Sequence, residues 1–391
     1  MRARFGLMVI PVLLLVAGCG SGAIGSSAAP SRLAFPQCTR ASAHLPALSS
    51  AQSTFVTVPG QPFAVVTTTN GRWAMVSMDG AIGVYSTASF PPDLTRTIPV
   101  AGSMAGEALT PDGRYLVVAD GASGAVIVDV ARAVGGAPGP VVGRAKAPAD
   151  GGAVGVAISP DSRFAFVAME KAGTLAVFDL AKAVGPSAGQ DSLVGEVPLA
   201  AAATGVAVSP DGTSIYATSQ AGAGREGLLF LIDLHRAETD PRHAIISRTP
   251  AGCSPVRVLP SRDGSTVWVT ARGSNEVLAF TAAGLRADPA HALAATVQVG
   301  PAPVALCLID HDRYLVVSDS NRFGPPNAVG DVRVLDVAAA LADRPSTLAQ
   351  TPAGRFPRGL AATADGTILL ISNYASGQLQ AVDLHRLLTP R

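Results

Sequence analysis

Gly205-Val-Ala-Val-Ser-Pro-Asp-Gly-Thr-Ser-Ile-Tyr-Ala-Thr-Ser219 decides the fold. Its first half alternates small and apolar residues, as a half-buried strand does. Pro210 presets φ for a turn, and Gly212 supplies the positive φ that closes it. Ile215-Tyr-Ala-Thr218 then reads as a second strand. The phrase recurs in Gly106-Glu-Ala-Leu-Thr-Pro-Asp-Gly113, Gly155-Val-Ala-Ile-Ser-Pro-Asp-Ser162, Val258-Leu-Pro-Ser-Arg-Asp-Gly264 and Gly359-Leu-Ala-Ala-Thr-Ala-Asp-Gly366. Ala64-Val-Val-Thr-Thr-Thr-Asn-Gly71 and Ala305-Leu-Cys-Leu-Ile-Asp-His-Asp312 are degenerate copies. The closing turn residues fall at 71, 113, 162, 212, 264, 312 and 366, so seven units recur every 42 to 54 residues.

Each unit continues alike. A third strand ends in Asp129, Asp179, Asp233, Asp336 or Asp383, followed by a short helical stretch such as Leu234-His-Arg-Ala. Repetition at one structural position marks these carboxylates as helix caps, not catalytic groups. A weaker fourth strand follows, as in Gly195-Glu-Val-Pro-Leu199. The last unit lacks one, and Ser53-Thr-Phe-Val-Thr-Val-Pro-Gly60 at the other end resembles the missing strand. The pattern predicts an all-β, seven-bladed β-propeller of four-stranded blades, closed by an N-terminal strand, with short helical turns after the third strands.

Composition agrees. The chain has 391 residues, 48% hydrophobic and only 15% charged, which excludes a disordered chain. Gly 41 and Pro 30 suit short strands and tight turns. A net charge of +1 leaves no nucleic-acid footprint.

The first residues read as an address. Arg2 and Arg4 precede the apolar run Leu7–Val16 and Ala17-Gly18-Cys19. The run is short for a membrane span and suits a signal peptide over 1–18. Val-Ala-Gly-Cys resembles a bacterial lipobox, which makes Cys19 the lipid attachment site. The expectation is a cell-membrane lipoprotein facing periplasm or exterior, with a flexible tether over 19–35 and one propeller domain over 36–391. An ordinary secretory signal with Cys19 incidental is the alternative.

Gly205–Ser219 and its copies resemble the YVTN-type β-propeller repeat family, kin to lactonase-like and WD40-like propellers, over residues 53–388. In place of the namesake tetrapeptide stand Val117-Val-Ala-Asp120 and Trp268-Val-Thr-Ala271. The resemblance implies a fold, and lactonase-like members build their sites from scattered channel residues.

In a propeller, loops entering first strands and loops joining second to third strands share one face. Here that face gathers Glu107, Asp120, Glu170, Lys171, Arg225, Glu226, Arg272, Asn275, Asp319, Asn321, Arg322, Arg358, Asn373 and Tyr374, with Arg257 at a channel-proximal strand start. Asp319–Asp331 is the longest such loop and breaks the repeat. Arg257, Arg358 and Glu107 stand where sibling units carry Gly, Ala or Val, as ligand contacts or as hydrated channel residues.

No His pair has zinc spacing, and no nucleophile elbow, P-loop or haem motif is present. The reading is therefore no cofactor, no metal and no catalytic residue. The leading function is a monomeric binding or scaffold module for a protein, glycan or small molecule, with the membrane reached through its lipid anchor. A lactonase-like hydrolase using Arg257, Arg358 and Glu107 is one alternative; a periplasmic accessory to a redox or metal enzyme is another. Cys38, Cys253 and Cys307 leave one disulfide open, with Cys253 paired to either of the others, or Cys307 a buried small residue.

Overall fold

The computed structural model describes residues 53–185, 191–220 and 226–389. The segments expected as signal peptide and tether, with Cys19, Cys38 and Arg225, lie outside the described residues. Seven antiparallel sheets follow one another along the chain. Blade 2 runs Glu107–Leu109, Tyr115–Ala119, Gly124–Asp129 and Val141–Lys146, from innermost to outermost strand. Blades 3 to 6 repeat that order, with first strands at Ala153–Ile158, Ala203–Val208, Pro255–Pro260 and Pro303–Ile309.

Blade 7 contributes Pro357–Ala362, Ile368–Asn373 and Gln378–Asp383, and its outer strand is Ser53–Thr57. Phe55 sits opposite Gln380 in antiparallel register. Head and tail therefore share one sheet, as the sequence implies. The pairing leaves no open seam in the ring.

Blade 1 holds Pro62–Thr67, the long span Trp73–Ser86 and Asp93–Ser103. The span is two strands folded at Asp79-Gly80, where Gly80 has φ 74. Thr87 N–H donates to Arg72 C=O at 3.1 Å, which a straight strand between them forbids. Face parity also flips across the turn: Ala74, Val76 and Met78 pack with Ala81 and Tyr85, whereas Ile82 and Val84 face the other way with Met75. Blade 1 thus has four strands like the others.

The apolar core divides into seven clusters, one at each blade boundary. Phe166 and Val177 of blade 3 meet Phe230 and Ile232 of blade 4. Trp268 of blade 5 meets Leu315 and Val317 of blade 6. No blade has a core of its own, so each sheet hides its apolar faces only against its neighbours.

The third-strand aspartates are caps. Asp129, Asp233, Asp336 and Asp383 each accept from a backbone N–H three residues on, and Asp179 accepts from Ala181 and Lys182 N–H. In blade 5 Thr281 takes the place of the aspartate and accepts from Gly284 N–H.

A buried hydroxyl joins neighbouring blades near the axis. Ser77, Thr218, Thr270, Ser318 and Ser372 occupy second strands and are all 0% exposed. Each accepts an N–H from the first strand of its own blade and donates to a carbonyl in, or just before, the first strand of the next blade. Ser372 Oγ accepts from Gly359 N–H at 2.8 Å and donates to Phe63 C=O at 3.0 Å, tying blade 7 to blade 1. Blade 2 has Ala119 at this position, and Gly106 N–H instead donates directly to Val154 C=O at 2.8 Å. A Cβ on Gly106 would lie 2.3 Å from that oxygen, so only glycine fits.

Ser372→Ala leaves a buried N–H and C=O unpaired at the ring closure. The expected loss is about 1–3 kcal/mol, measured by urea unfolding. A loss below about 0.5 kcal/mol, the range of ordinary surface changes, contradicts the role given to the hydroxyl.

Candidate functional site

First strands line the axis, so a side chain there points into a narrow channel or into the ring wall. Gly106, Gly155, Gly205 and Gly359 line a channel of about 200 Å³, with Val156, Val206 and Leu360 between them. Three charged residues interrupt this wall: Glu107, Arg257 and Arg358. They are the three that the repeat comparison singles out.

At the mouth, second-to-third-strand loops add more charge. A cavity of about 180 Å³ is lined by Arg257, Arg272, Arg322, Arg358, Glu170 and Gln220, with Phe356. Arg257 and Arg358 line both spaces, so mouth and channel are continuous. Among the described residues none of these four guanidiniums lies within ion-pair distance of a carboxylate. One carboxylate, Glu170, thus faces four cations without contacting any.

Burial lowers the affinity of these arginines for their protons. The Arg257 guanidinium is brought down to about 10 by desolvation, with Glu170 opposing. Arg272 falls to about 10 by desolvation and then by the nearby Arg322 charge. Arg358 falls furthest, to about 9, through desolvation and then the Arg257 and Arg322 charges. A guanidinium gives up its proton only reluctantly. A mobile anion relieves the same repulsion without deprotonation.

Aromatic rings hold the cations in place. The Arg358 guanidinium stacks 3.5 Å above Phe63 and lies 5.1 Å from Phe356 and 5.3 Å from Tyr374. Arg322 lies 4.7 Å over Phe356 and 5.3 Å over Phe323. Cation–π contact takes the flat faces of a guanidinium and leaves its N–H edge to a ligand. Arg272 donates from Nη2 to Gln220 Oε1. Its Nε is buried with no partner among the described residues.

The backbone here is tense. The residue just before a first strand is left-handed in five blades: Gly152, Ala202, Ser254, Ala302 and Phe356, with φ 51–68. A phenyl side chain in that region is rare. Phe356, at φ 53, is held by Tyr374, whose ring centroid lies 5.6 Å away. Such strain concentrates at binding sites.

The other sequence candidates fall elsewhere. Tyr374 joins the aromatic ring. Asn373 is 0% exposed and points into the sheet, where it accepts from Gly354 N–H and donates to Gln380. Asn321 donates to Val329 C=O and ties down its own loop, which carries Arg322 to the mouth. That loop stands on a buried group: Arg333 Nε lies 2.7 Å from Asp319 and 3.3 Å from Asp331. Burial, then the Asp331 charge, holds Asp319 well above the usual carboxylate range. Phe63, Phe356 and Gln220 are site residues that the repeat comparison misses.

Glu107 lies in the channel wall and not in the mouth cluster. Its Oε1 accepts from Ser77 N–H at 3.3 Å, and its Oε2 is buried without a partner. Desolvation holds this carboxyl well above its ordinary range, against the Ser77 hydrogen bond. Two roomier clefts, one between blades 5 and 6 and one beside His311 and His385, do not gather unpaired cations in this way.

Cys253 is disulfide-bonded and Cys307 is free, which excludes their pairing with each other. Burial pushes the Cys307 thiol up to about 11, so it behaves as a small apolar residue. Among the described residues no group of three or more His, Cys, Asp or Glu is placed to hold a metal ion. No helix among them is long and apolar enough to cross a membrane.

The raised pKa of Glu107 gives a stability test. The folded state retains a proton that the unfolded state releases, so stability falls as pH rises from the unfolded value through the folded one. Glu107→Gln removes this contribution. The variant's advantage over wild type should be smallest at low pH, grow with rising pH and then level off, by thermal unfolding. A pH-independent difference contradicts the buried, protonated state.

No protein-family model matches the sequence, nor does any curated protein. Solved structures do match. A chain of hydrazine synthase from Kuenenia stuttgartiensis superposes with a TM-score of 0.66 at 17% identity, covering 84% of this chain and 97% of that one. A chain in a crystal structure of the mitotic checkpoint complex gives a TM-score of 0.62 at 13% identity, covering 87% and 97%. At such identities the likeness shows the fold alone, and this chain is an all-β, seven-bladed propeller.

Proposed function

We propose that this chain is a ligand-recognition propeller whose channel mouth captures an anionic group. The fold itself supports a binding or scaffold role in general. One observation supports the specific reading: Arg257, Arg272, Arg322 and Arg358 converge on one cavity with no carboxylate in ion-pair contact. An anion placed there meets several guanidinium edges in partly desolvated surroundings, where charge-assisted hydrogen bonds are strong.

A hydrolase would bring Arg257, Arg358 and the Glu107 carboxylate to act together within hydrogen-bond reach of one cavity. Glu107 bonds Ser77 instead. The binding reading is therefore the one the geometry favours. YVTN-type repeat membership is part of the proposal, supported by the Gly205–Ser219 phrase and its copies. So is export with a lipid anchor at Cys19, supported by the charged, apolar and small-residue segments of 1–19. Mass spectrometry of the mature protein should find its first residue to be an acylated Cys19. An unmodified N-terminus there contradicts the anchor.

The anion site is tested with sulfate. At equal ionic strength sulfate should raise the melting temperature above its value in chloride, because it binds the folded state alone. Arg358→Gln should reduce that gain and lower sulfate affinity by roughly tenfold or more. In chloride the variant should melt no lower than wild type, since one of several repelling charges is gone. Equal responses to sulfate and chloride contradict the proposal.

A further inference from the structure

The anion site accounts for the arginines but leaves Glu107 without a task. Six of the seven units solve this position with an apolar residue: Val65, Val156, Val206, Val258, Leu306 and Leu360 stand at the same distance before the closing turn. Blade 2 buries a carboxyl there instead, at 8% exposure. A buried polar atom without a partner is unfavourable. The fold plainly has a cheaper choice available.

The two oxygens of this carboxyl differ. Ser77 N–H occupies Oε1, so that oxygen is the acceptor. The proton of the neutral acid belongs on Oε2, which has no partner. Glu107 therefore carries an unused O–H donor, buried in a residue that lines the channel. The same channel is lined by Arg257 and Arg358, which also line the mouth. Between them the wall is glycine backbone and apolar side chains, which fits a slim chain poor in polar groups.

We propose that the ligand is a small acid with two ends: an anionic head on the arginines and, down the channel, a carbonyl or carboxyl oxygen that accepts a hydrogen bond from Glu107. An oxo-carboxylic or dicarboxylic acid is the chemical class. This rests on the anion-site reading above and adds the group that selects among anions. Glu107 is the specificity residue, because any small anion satisfies the arginines but only an acceptor oxygen satisfies Oε2–H.

The test compares acids of equal charge. Pentanoate and 4-oxopentanoate, and hexanoate and 5-oxohexanoate, differ within each pair by one ketone oxygen and are titrated calorimetrically into the full chain. Wild type should prefer at least one oxo acid over its parent by roughly tenfold or more. Glu107→Val, which installs the residue that sibling blades carry, should abolish the preference. Glu107→Gln, whose amide still donates, should retain most of it. Melting temperature confirms that each variant folds, and the wild-type comparison stands alone if Glu107→Val does not. Equal binding of oxo and parent acids to wild type overturns the role of Glu107 while leaving the anion site intact. A preference that survives Glu107→Val overturns it likewise. Failure of every acid to bind wild type overturns the two-ended acid, and the sulfate response then decides the anion site separately.

Discussion

A side-chain hydroxyl that accepts from one strand and donates to the next blade is the joint on which this molecule turns. Hydrophobic contact between blades is strong but has no direction, and seven sheets pressed together around an axis could slide. The hydrogen bonds of Ser77, Thr218, Thr270, Ser318 and Ser372 remove that freedom, because each fixes the height of one inner strand against its neighbour. Where the hydroxyl is absent, as at Ala119, the chain turns to glycine and lets the backbones touch directly. Both devices keep inner strands close, and a narrow axis follows from that closeness.

The narrow axis in turn gives charge its effect. An arginine on an ordinary surface is screened and adds little. Arg257 and Arg358 are set among glycine backbone and apolar residues, with further cations on the loops above them. Desolvation and mutual repulsion therefore act together, and the aromatic faces of Phe63, Phe356 and Tyr374 hold the side chains where repulsion would spread them. The left-handed Phe356 shows how firmly this arrangement is imposed, since an unconstrained phenylalanine would leave that conformation.

The repeat was legible because turn chemistry is local. Pro-Asp-Gly announces itself in sequence, and so does Asp before a helical turn. The charged channel residues were legible because they break a pattern of small and apolar siblings. What escaped depended on ring closure. Phe63 and Arg358 are separated by almost the whole domain, and only the shared blade 7 to blade 1 boundary makes them neighbours. Asn373 stands beside Tyr374 in the sequence, but it ends its strand with its side chain bonded to Gly354 and Gln380, whereas Tyr374 opens a short 3-10 turn. Blade 1 turns its second hairpin on Asp79-Gly80, which lies outside the Pro-Asp-Gly phrase that marks the repeat. The connecting hydroxyls gave no signal, since Ser and Thr are ordinary in strands and their role appears only when the next blade is in place.

The closing strand Ser53–Thr57 is the one member of the ring not joined to its sheet by a covalent turn. Cations crowded on the axis push outward, and a closed ring answers an outward push with circumferential tension, as a barrel hoop does. That tension passes through every blade boundary in series. The sheet that holds the two chain ends by hydrogen bonds alone is therefore the place where the load would first be released, and a counter-anion on the axis would slacken a seam located at the rim.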